Sequence, residues 1–422
     1  MENDIREARR GDLIARERSG LHVLSDLSVS DNIRLMVVLH LTLSVARGGR
    51  RQAIASLVEG LRAMGTTCHI ATLEDLGCDI GDLGDLGGRV ATLGRQGLVD
   101  LGALRRLQSL CRTLGVHIIH AHDAASQFAG AVARLTRPWT KLLMTFHRSL
   151  NFESARWRDR MRNALCASLS GAIVAASRER QQHFLATNWV RRKKVVRIPF
   201  GVDLARFHPD PDDRGFLRAE LGLSPETIVV GAAGHFGEEK GIERVIASWH
   251  ALGPLPFPAA LVVFGTGTLA QRTALEQLAA RPASAGPVLL AGFRDDLHRC
   301  FRGLDLFVHA PQMEAFGLVV VEAMASGVPV VSVEVGGVMD LVAQGLTGLL
   351  APTRAPEAIA DAARTLLLDA ERRREMGAAA RTLAEREFGL DTCARRYYSL
   401  YEDILRGELP TTDFSVEGVS SR

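Results

Sequence analysis

The sequence predicts an α/β protein made of two doubly wound domains, each a parallel sheet with helical crossovers. Three observations carry this. Short apolar runs of four to eight residues alternate with stretches of helical periodicity along most of the chain. The rhythm breaks at a turn-rich segment holding Pro209 and Pro211 and then restarts. Finally, 422 residues exceed one ordinary core and suit two domains of roughly 170 to 200 residues each.

Residues 1–32 mix charges without a period and are expected to form a poorly ordered extension. The first domain is read over 33–205. Its first strand is 35–42, within an apolar stretch interrupted by His40, Thr42 and Ser44 and too short to span a bilayer. Further strands are expected at 68–73, 116–121, 142–146, 172–176 and 195–199, each bounded by polar or glycine-rich turns. The second domain, 206–390, restarts with a strand at 227–233, followed by 260–264, 288–291, 304–309 and 328–333. The segment 391–405, with Tyr397, Leu400 and Tyr401, has the spacing of an amphipathic helix, and 407–422 is read as a loose tail.

Glu314 and Glu322 stand with seven residues between them. The run 304–309 ends as a buried strand, and Leu318, Val321, Glu322 and Ala325 recur at helical spacing, so one carboxylate precedes a helix and the other rides on it. A helix N-terminus beyond the carboxyl end of a parallel strand suits a phosphate. Ionised carboxylates accept hydrogen bonds from hydroxyls. Eight residues of helix advance about 12 Å, enough to hold opposite ends of a nucleotide sugar. Either glutamate alone would be an ordinary surface charge.

The stretch Glu314 to Val331 reads Glu-Ala-Phe-Gly-Leu-Val-x-x-Glu-Ala-Met-Ala-x-Gly-x-Pro-Val-Val and is followed by Val335-Gly336-Gly337. It resembles the family 4 retaining glycosyltransferases. Gly48-Gly49, His120-Ala121-His122, Thr145-Phe146-His147, the run 198–203, Lys240-Gly241 and Gly265-Thr266-Gly267 agree in order, so the resemblance covers roughly residues 33 to 405. It implies the GT-B fold: two Rossmann-like domains facing a central cleft, with a last helix, 391–406, crossing back onto the first domain. It also implies transfer of a sugar, with retention, from a nucleoside diphosphate donor to a hydroxyl, with no metal and no cofactor beyond the donor itself.

By the same resemblance, Lys240 neutralises the departing diphosphate, helped by His235, the Gly48 and Gly49 amides and the helix start near Gly317. Glu314 with Ala315, Phe316, Gly317 and Leu318 holds the donor sugar, and Glu322 takes the ribose hydroxyls. His147 contacts the transferred sugar or the acceptor; Lys240, Glu314 and His147 form the catalytic set. His120 and His122 alternate on a strand and face one side, which suits packing or acceptor shaping better than metal binding. The chain departs from the family pattern at His235, usually arginine, at Arg51, commonly acidic, at Ala310-Pro311 and at Phe200.

Charge divides the chain. Residues 33–205 carry 25 Lys and Arg against 12 Asp and Glu, a net +13, and residues 206–422 carry 21 against 29, a net −8. A basic half, with Arg148, Arg156, Arg158, Arg160, Arg162 and the run Arg191-Arg192-Lys193-Lys194, suits an anionic membrane surface presenting a glycan or lipid-linked acceptor. Nucleic acid is not expected, since no aromatic residues interleave the basic ones in the manner of a stacking platform. Six cysteines without paired spacing read as reduced. The charged residues 1–20 lack a leader's apolar segment. The expected location is therefore cytoplasmic, peripheral on the inner face of a membrane, in cell-envelope glycan synthesis. Two other readings stand: a nucleotide-sugar epimerase on the same fold, and a binding subunit that has lost transfer.

Overall fold

The computed structural model describes residues 36–45, 48–75, 90–97, 100–147, 157–187 and 189–410. The extension 1–32, Cys78, Arg148, Arg156 and the tail from 411 lie outside the described residues.

Two parallel sheets form the framework. The first contains β1 (Val37–Thr42), β2 (Thr67–Thr72), β3 (Val90–Thr92), β4 (Ile118–Ala121), β5 (Lys141–Phe146), β6 (Ala172–Ala175) and β7 (Val195–Arg197), in the order β3-β2-β1-β4-β5-β6-β7. The second contains β8 (Ile228–Ala233), β9 (Ala259–Phe264), β10 (Val288–Gly292), β11 (Leu306–His309), β12 (Val330–Val333) and β13 (Gly348–Ala351), in the order β10-β9-β8-β11-β12-β13. This is the GT-B arrangement. In each sheet the order reverses beside the first strand, between β1 and β4 and between β8 and β11. Crevices for ligands open at such switch points, beyond the carboxyl ends of the strands.

Strands β3 and β13 were not foreseen. Both are edge strands, which need only one neighbour and so survive on very short apolar runs. The run expected at 195–199 stops at Arg197, because Pro199 has no N–H for the ladder.

Period-two alternation sends the first sheet's apolar residues to two faces. Leu39, Leu41, Ile119, Leu142, Met144 and Ile173 face the helices Leu101–Thr113, Ala124–Thr136, Trp157–Leu169 and Arg178–Thr187. Val38, Ile70, Ile118, Leu143 and Val174 face the helix Gly49–Ala63 and the C-terminal helix Leu390–Arg406. The last helix thus completes the core of the first sheet. The chain returns there through a bridge in which Val202 donates to the Phe388 carbonyl (2.8 Å) and Leu390 donates to the Val202 carbonyl (3.1 Å). Close approach requires glycine: a Cβ on Gly60 would lie 2.8 Å from the Ala394 Cβ, and one on Gly201 2.8 Å from the Cys393 Cβ.

Tyr397 and Tyr401, one turn apart on this helix, are fully buried with their hydroxyls partnered. Tyr401 pairs with His120 Nδ1 (2.8 Å) and Tyr397 with Thr145 Oγ1 (3.2 Å). The five described cysteines, 68, 111, 166, 300 and 393, are free and buried. No described helix is long and apolar enough to cross a membrane. Tyr401→Phe keeps the ring but strands a buried imidazole nitrogen, so urea unfolding should show a loss of about 1–3 kcal/mol; an unchanged midpoint would contradict this role for the hydroxyl.

Candidate active site

The second sheet supplies the charged side of the site. Past β8 the chain forms a short 3-10 turn, Glu238–Lys240, and enters the helix Ile242–Ala251 through Gly241, whose φ of 65° is left-handed. A Cβ there would lie 1.9 Å from the Ala310 carbonyl, so the loops after β8 and β11 touch through a glycine. The contact puts Lys240 Nζ 2.8 Å from Glu314 Oε2, with His309 Nε2 3.2 Å from the same oxygen. Glu314 is 8% exposed. Burial alone would raise its carboxyl, but the hydrogen bond from His309 and the Lys240 ammonium outweigh it and hold the group down to about 2.

After Glu314 the backbone turns at Gly317, φ 103°, and starts the helix Leu318–Ala325 with no side chain capping its N-terminus. Its first amides can therefore receive an anion. Gly336 and Gly337 pack directly over the turn: a Cβ on either would sit 2.0 Å from the Glu314 carbonyl oxygen or 2.5 Å from that of Ala315. Gly337 donates to the Glu314 carbonyl at 2.8 Å. The paired glycines after β12 thus hold the Glu314 loop by backbone contact.

Glu322 lies on the next turn of that helix, half-buried, and its carboxyl has no hydrogen-bond or ion-pair partner among the described residues. Burial pushes its carboxyl up to about 7, with the Arg206 charge acting weakly in the other direction. An accepting oxygen without a partner is suited to a ligand hydroxyl. His235 is exposed, and its Nδ1 accepts from the Gly237 N–H at 3.0 Å, which places the neutral ring's proton on Nε2. No hydrogen bond joins it to Lys240, whose ammonium is engaged by Glu314.

The first sheet supplies a neutral side. On the face toward the C-terminal helix, the alternation that gives Val38, Ile118 and Leu143 next gives His40, His120 and Thr145, and then Thr42, His122 and His147, at the carboxyl ends of β1, β4 and β5. His40 Nδ1 pairs with His122 Nε2 (3.0 Å) and His122 Nδ1 with His147 Nε2 (2.8 Å), while His120 Nε2 pairs with Thr145 Oγ1 (2.7 Å). Burial, reinforced by neighbouring Arg62 and Arg50 charges, lowers His40 and His147 to about 3, and His120 and His122 are lowered as well. The strip therefore stays uncharged at neutral pH.

Nitrogens of His40, His120 and His122 converge within 4.8 Å, the one group of metal-ligating type among the described residues. Both nitrogens of His120 and of His122 already have protein partners, so an ion would have to displace those bonds.

The two sides meet. The His147 ring stacks on Phe200 at 4.9 Å, and Phe200 meets Phe316 edge-on at 5.2 Å. Ser177 Oγ donates to the Ala315 carbonyl (2.8 Å), Asp340 accepts from the Arg178 N–H, and a Cβ on Gly49 would face Leu318 at 3.9 Å. Gly48 opens onto free space. Thus Lys240, Glu314, Ala315, Phe316, Gly317, Leu318 and Glu322 form one continuous wall, Gly49 stands across from it, and His147 reaches it through Phe200. His309, His40, Ser177 and Asp340 went unrecognised in the sequence; a histidine closing β11 three residues ahead of Gln312 gives no local sign that it will fold under Glu314.

Glu322 yields a pH test. Its folded value near 7 lies above the ordinary 4.5, so the stability it contributes is present below about 4.5 and lost as the pH rises through about 7. The thermal midpoint of Glu322→Gln relative to the parent should therefore climb between about pH 5 and pH 8; parallel curves would contradict the buried, unpartnered carboxyl.

Comparison with known proteins agrees with this geometry. Residues 213–383 match the model described as Glycosyl transferases group 1, and residues 47–206 match that of Glycosyltransferase Family 4. The chain is 33% identical to the lipopolysaccharide core biosynthesis mannosyltransferase LpsB of Rhizobium meliloti over 50% of this chain and 61% of that protein. It is 31% identical to a D-inositol 3-phosphate glycosyltransferase of Jonesia denitrificans over 68% of this chain and 71% of that one. Among solved structures, Anabaena HepE in complex with UDP-glucose superposes with a TM-score of 0.75 at 23% identity, covering 87% of this chain and 99% of HepE. With both sheets, the Glu314 loop and these relatives in agreement, the chain belongs to the family 4 glycosyltransferases of GT-B fold.

Proposed function

We propose that this chain moves a sugar from a nucleoside diphosphate donor to a hydroxyl acceptor, with retention at the anomeric carbon and with protein groups rather than a metal balancing the charge of the leaving group. The observation that carries the reading is the meeting of an ammonium, an ionised carboxylate and an uncapped helix N-terminus at the switch point of the second sheet. A diphosphate seated on the 318–325 amides lies beside Lys240. As the sugar–oxygen bond breaks, negative charge grows on the phosphate oxygen, and groups already aimed there stabilise the transition state more than the ground state.

Glu314, ionised throughout the neutral range, accepts from hydroxyls of the donor sugar, and Glu322 accepts from the ribose. The bond to Glu314 also fixes Lys240, which would otherwise lose side-chain entropy on meeting the donor. His147 is neutral, so it serves as a hydrogen-bond partner to the sugar or acceptor rather than as a charge. In same-face substitution the departing phosphate oxygen takes the acceptor's proton, and no protein nucleophile is assigned. The HepE complex with UDP-glucose supports a nucleotide-sugar donor, and the lipopolysaccharide core mannosyltransferase LpsB supports a cell-envelope glycan acceptor; the reading extends to a lipid-linked acceptor met on the cytoplasmic side of a membrane.

The test is nucleoside diphosphate release from a panel of UDP-, GDP- and ADP-sugars, with the anomeric configuration of any product read by NMR. One donor should be turned over with retention, and Lys240→Ala and Glu322→Ala should each slow release by about 100-fold or more. An inverted product would contradict retention. Epimerised donor without release would identify an epimerase, and tight binding without turnover a subunit that has lost transfer.

A further inference from the structure

We infer that the helix Trp157–Leu169 and the adjoining edge of the first sheet form a docking face for the interfacial layer of an anionic phospholipid bilayer. This goes beyond the transferase reading and does not depend on it. The helix buries Asn163, Cys166 and Ala167 against the sheet and turns the opposite side outward. An outward face is normally polar. Here it carries Trp157, Met161 and Leu165, exposed by 64%, 51% and 58%. Four-residue steps advance about 40° each on a helix, so the three side chains span about 80° and form a single stripe about 12 Å long. Arg158, Arg160 and Arg162 flank it, with Asp159 as the one acidic residue of the helix.

Two more exposed tryptophans lie at the end of the sheet where this helix stops. Strands β5, β6 and β7 are adjacent and parallel, so the segments entering them lie at one end of the sheet. Trp139 precedes β5 and Trp189 precedes the turn into β7; they are 64% and 74% exposed. Lys194 ties this end together, donating to the carbonyls of Ala167, Ser168 and Ser170 (3.2, 3.0 and 2.8 Å) where the helix stops. Of four tryptophans, only Trp249 is buried, at 4% exposure. Arg137 lies over Trp139 at 5.2 Å and Arg158 over Trp157 at 5.7 Å, so the cations stand beside the rings.

Tryptophan rings with flanking cations suit the headgroup layer, where the ring meets the acyl boundary and the guanidinium meets lipid phosphate. The surplus of +13 over 33–205 makes the partner anionic. A second copy of the chain fits poorly, because a twofold contact would bring the same arginines together. Nucleic acid leaves Met161 and Leu165 with nothing apolar to cover.

The experiment uses the full chain with vesicles of phosphatidylcholine alone and with about 30% phosphatidylglycerol. Sedimentation should rise at least tenfold with the anionic lipid, and brominated acyl chains should quench the tryptophan fluorescence. The combined variants W157Q/M161Q/L165Q and R158Q/R162Q should each lower partition about tenfold, with unchanged thermal midpoints, because the altered side chains are solvent-facing. Diphosphate release measured without vesicles should be unaffected, which separates this inference from the transferase reading. Absence of partition, partition unchanged in the apolar variant, a dimer abolished by that variant, or equal binding of both variants to RNA would each overturn it.

Discussion

A carboxylate that is buried and yet ionised is the constraint on which the site depends. Glu314 can keep its charge at 8% exposure only because Lys240 and His309 converge on one of its oxygens. That convergence requires the loops after β8 and β11 to touch, which Gly241 permits, and requires the Glu314 backbone to be held in place, which Gly336 and Gly337 do by occupying space that no Cβ could share. Three separate loops are thus fixed by one electrostatic demand. The uncapped helix at Leu318 is aimed by the same arrangement, since it begins four residues beyond the carboxylate.

The opposite wall follows another rule. Its histidines are buried without acidic partners, so they remain neutral and bond ring to ring, with His40 Nε2 and His147 Nδ1 left unpartnered among the described residues. The C-terminal helix closes this strip with two tyrosine hydroxyls and so becomes part of the first domain, even though it is last in sequence. One wall holds fixed charge and the other fixed, uncharged donors and acceptors, an apt division for a substrate with a charged diphosphate at one end and hydroxyls at the other. Phe200 and Phe316 join the walls with apolar surface, where the family pattern has an asparagine in place of Phe200.

Much of this was legible in the chain. The apolar rhythm located eleven of the strands to within two residues at most ends, and the spacing of Glu314 and Glu322 around Gly317 placed one carboxylate before a helix and the other on it. The edge strands β3 and β13 escaped because three or four residues carry no measurable period. The partnership of His40 with His122 escaped for a different reason: alternation tells which side of a strand a residue faces, but the pairing of β1 with β4 across the switch point is a property of the sheet. The same limit hid the apolar stripe of 157–169. A four-residue repeat of Trp157, Met161 and Leu165 looks like a core-facing pattern, and only the burial of Asn163, Cys166 and Ala167 shows that it points outward.

The most direct measurement is a crystal structure of the protein with a nucleoside diphosphate bound. The account predicts the diphosphate on the amides that begin the 318–325 helix, within reach of Lys240, and the ribose hydroxyls on Glu322. A nucleotide bound elsewhere, or one whose phosphates avoid Lys240 and that helix N-terminus, would contradict it.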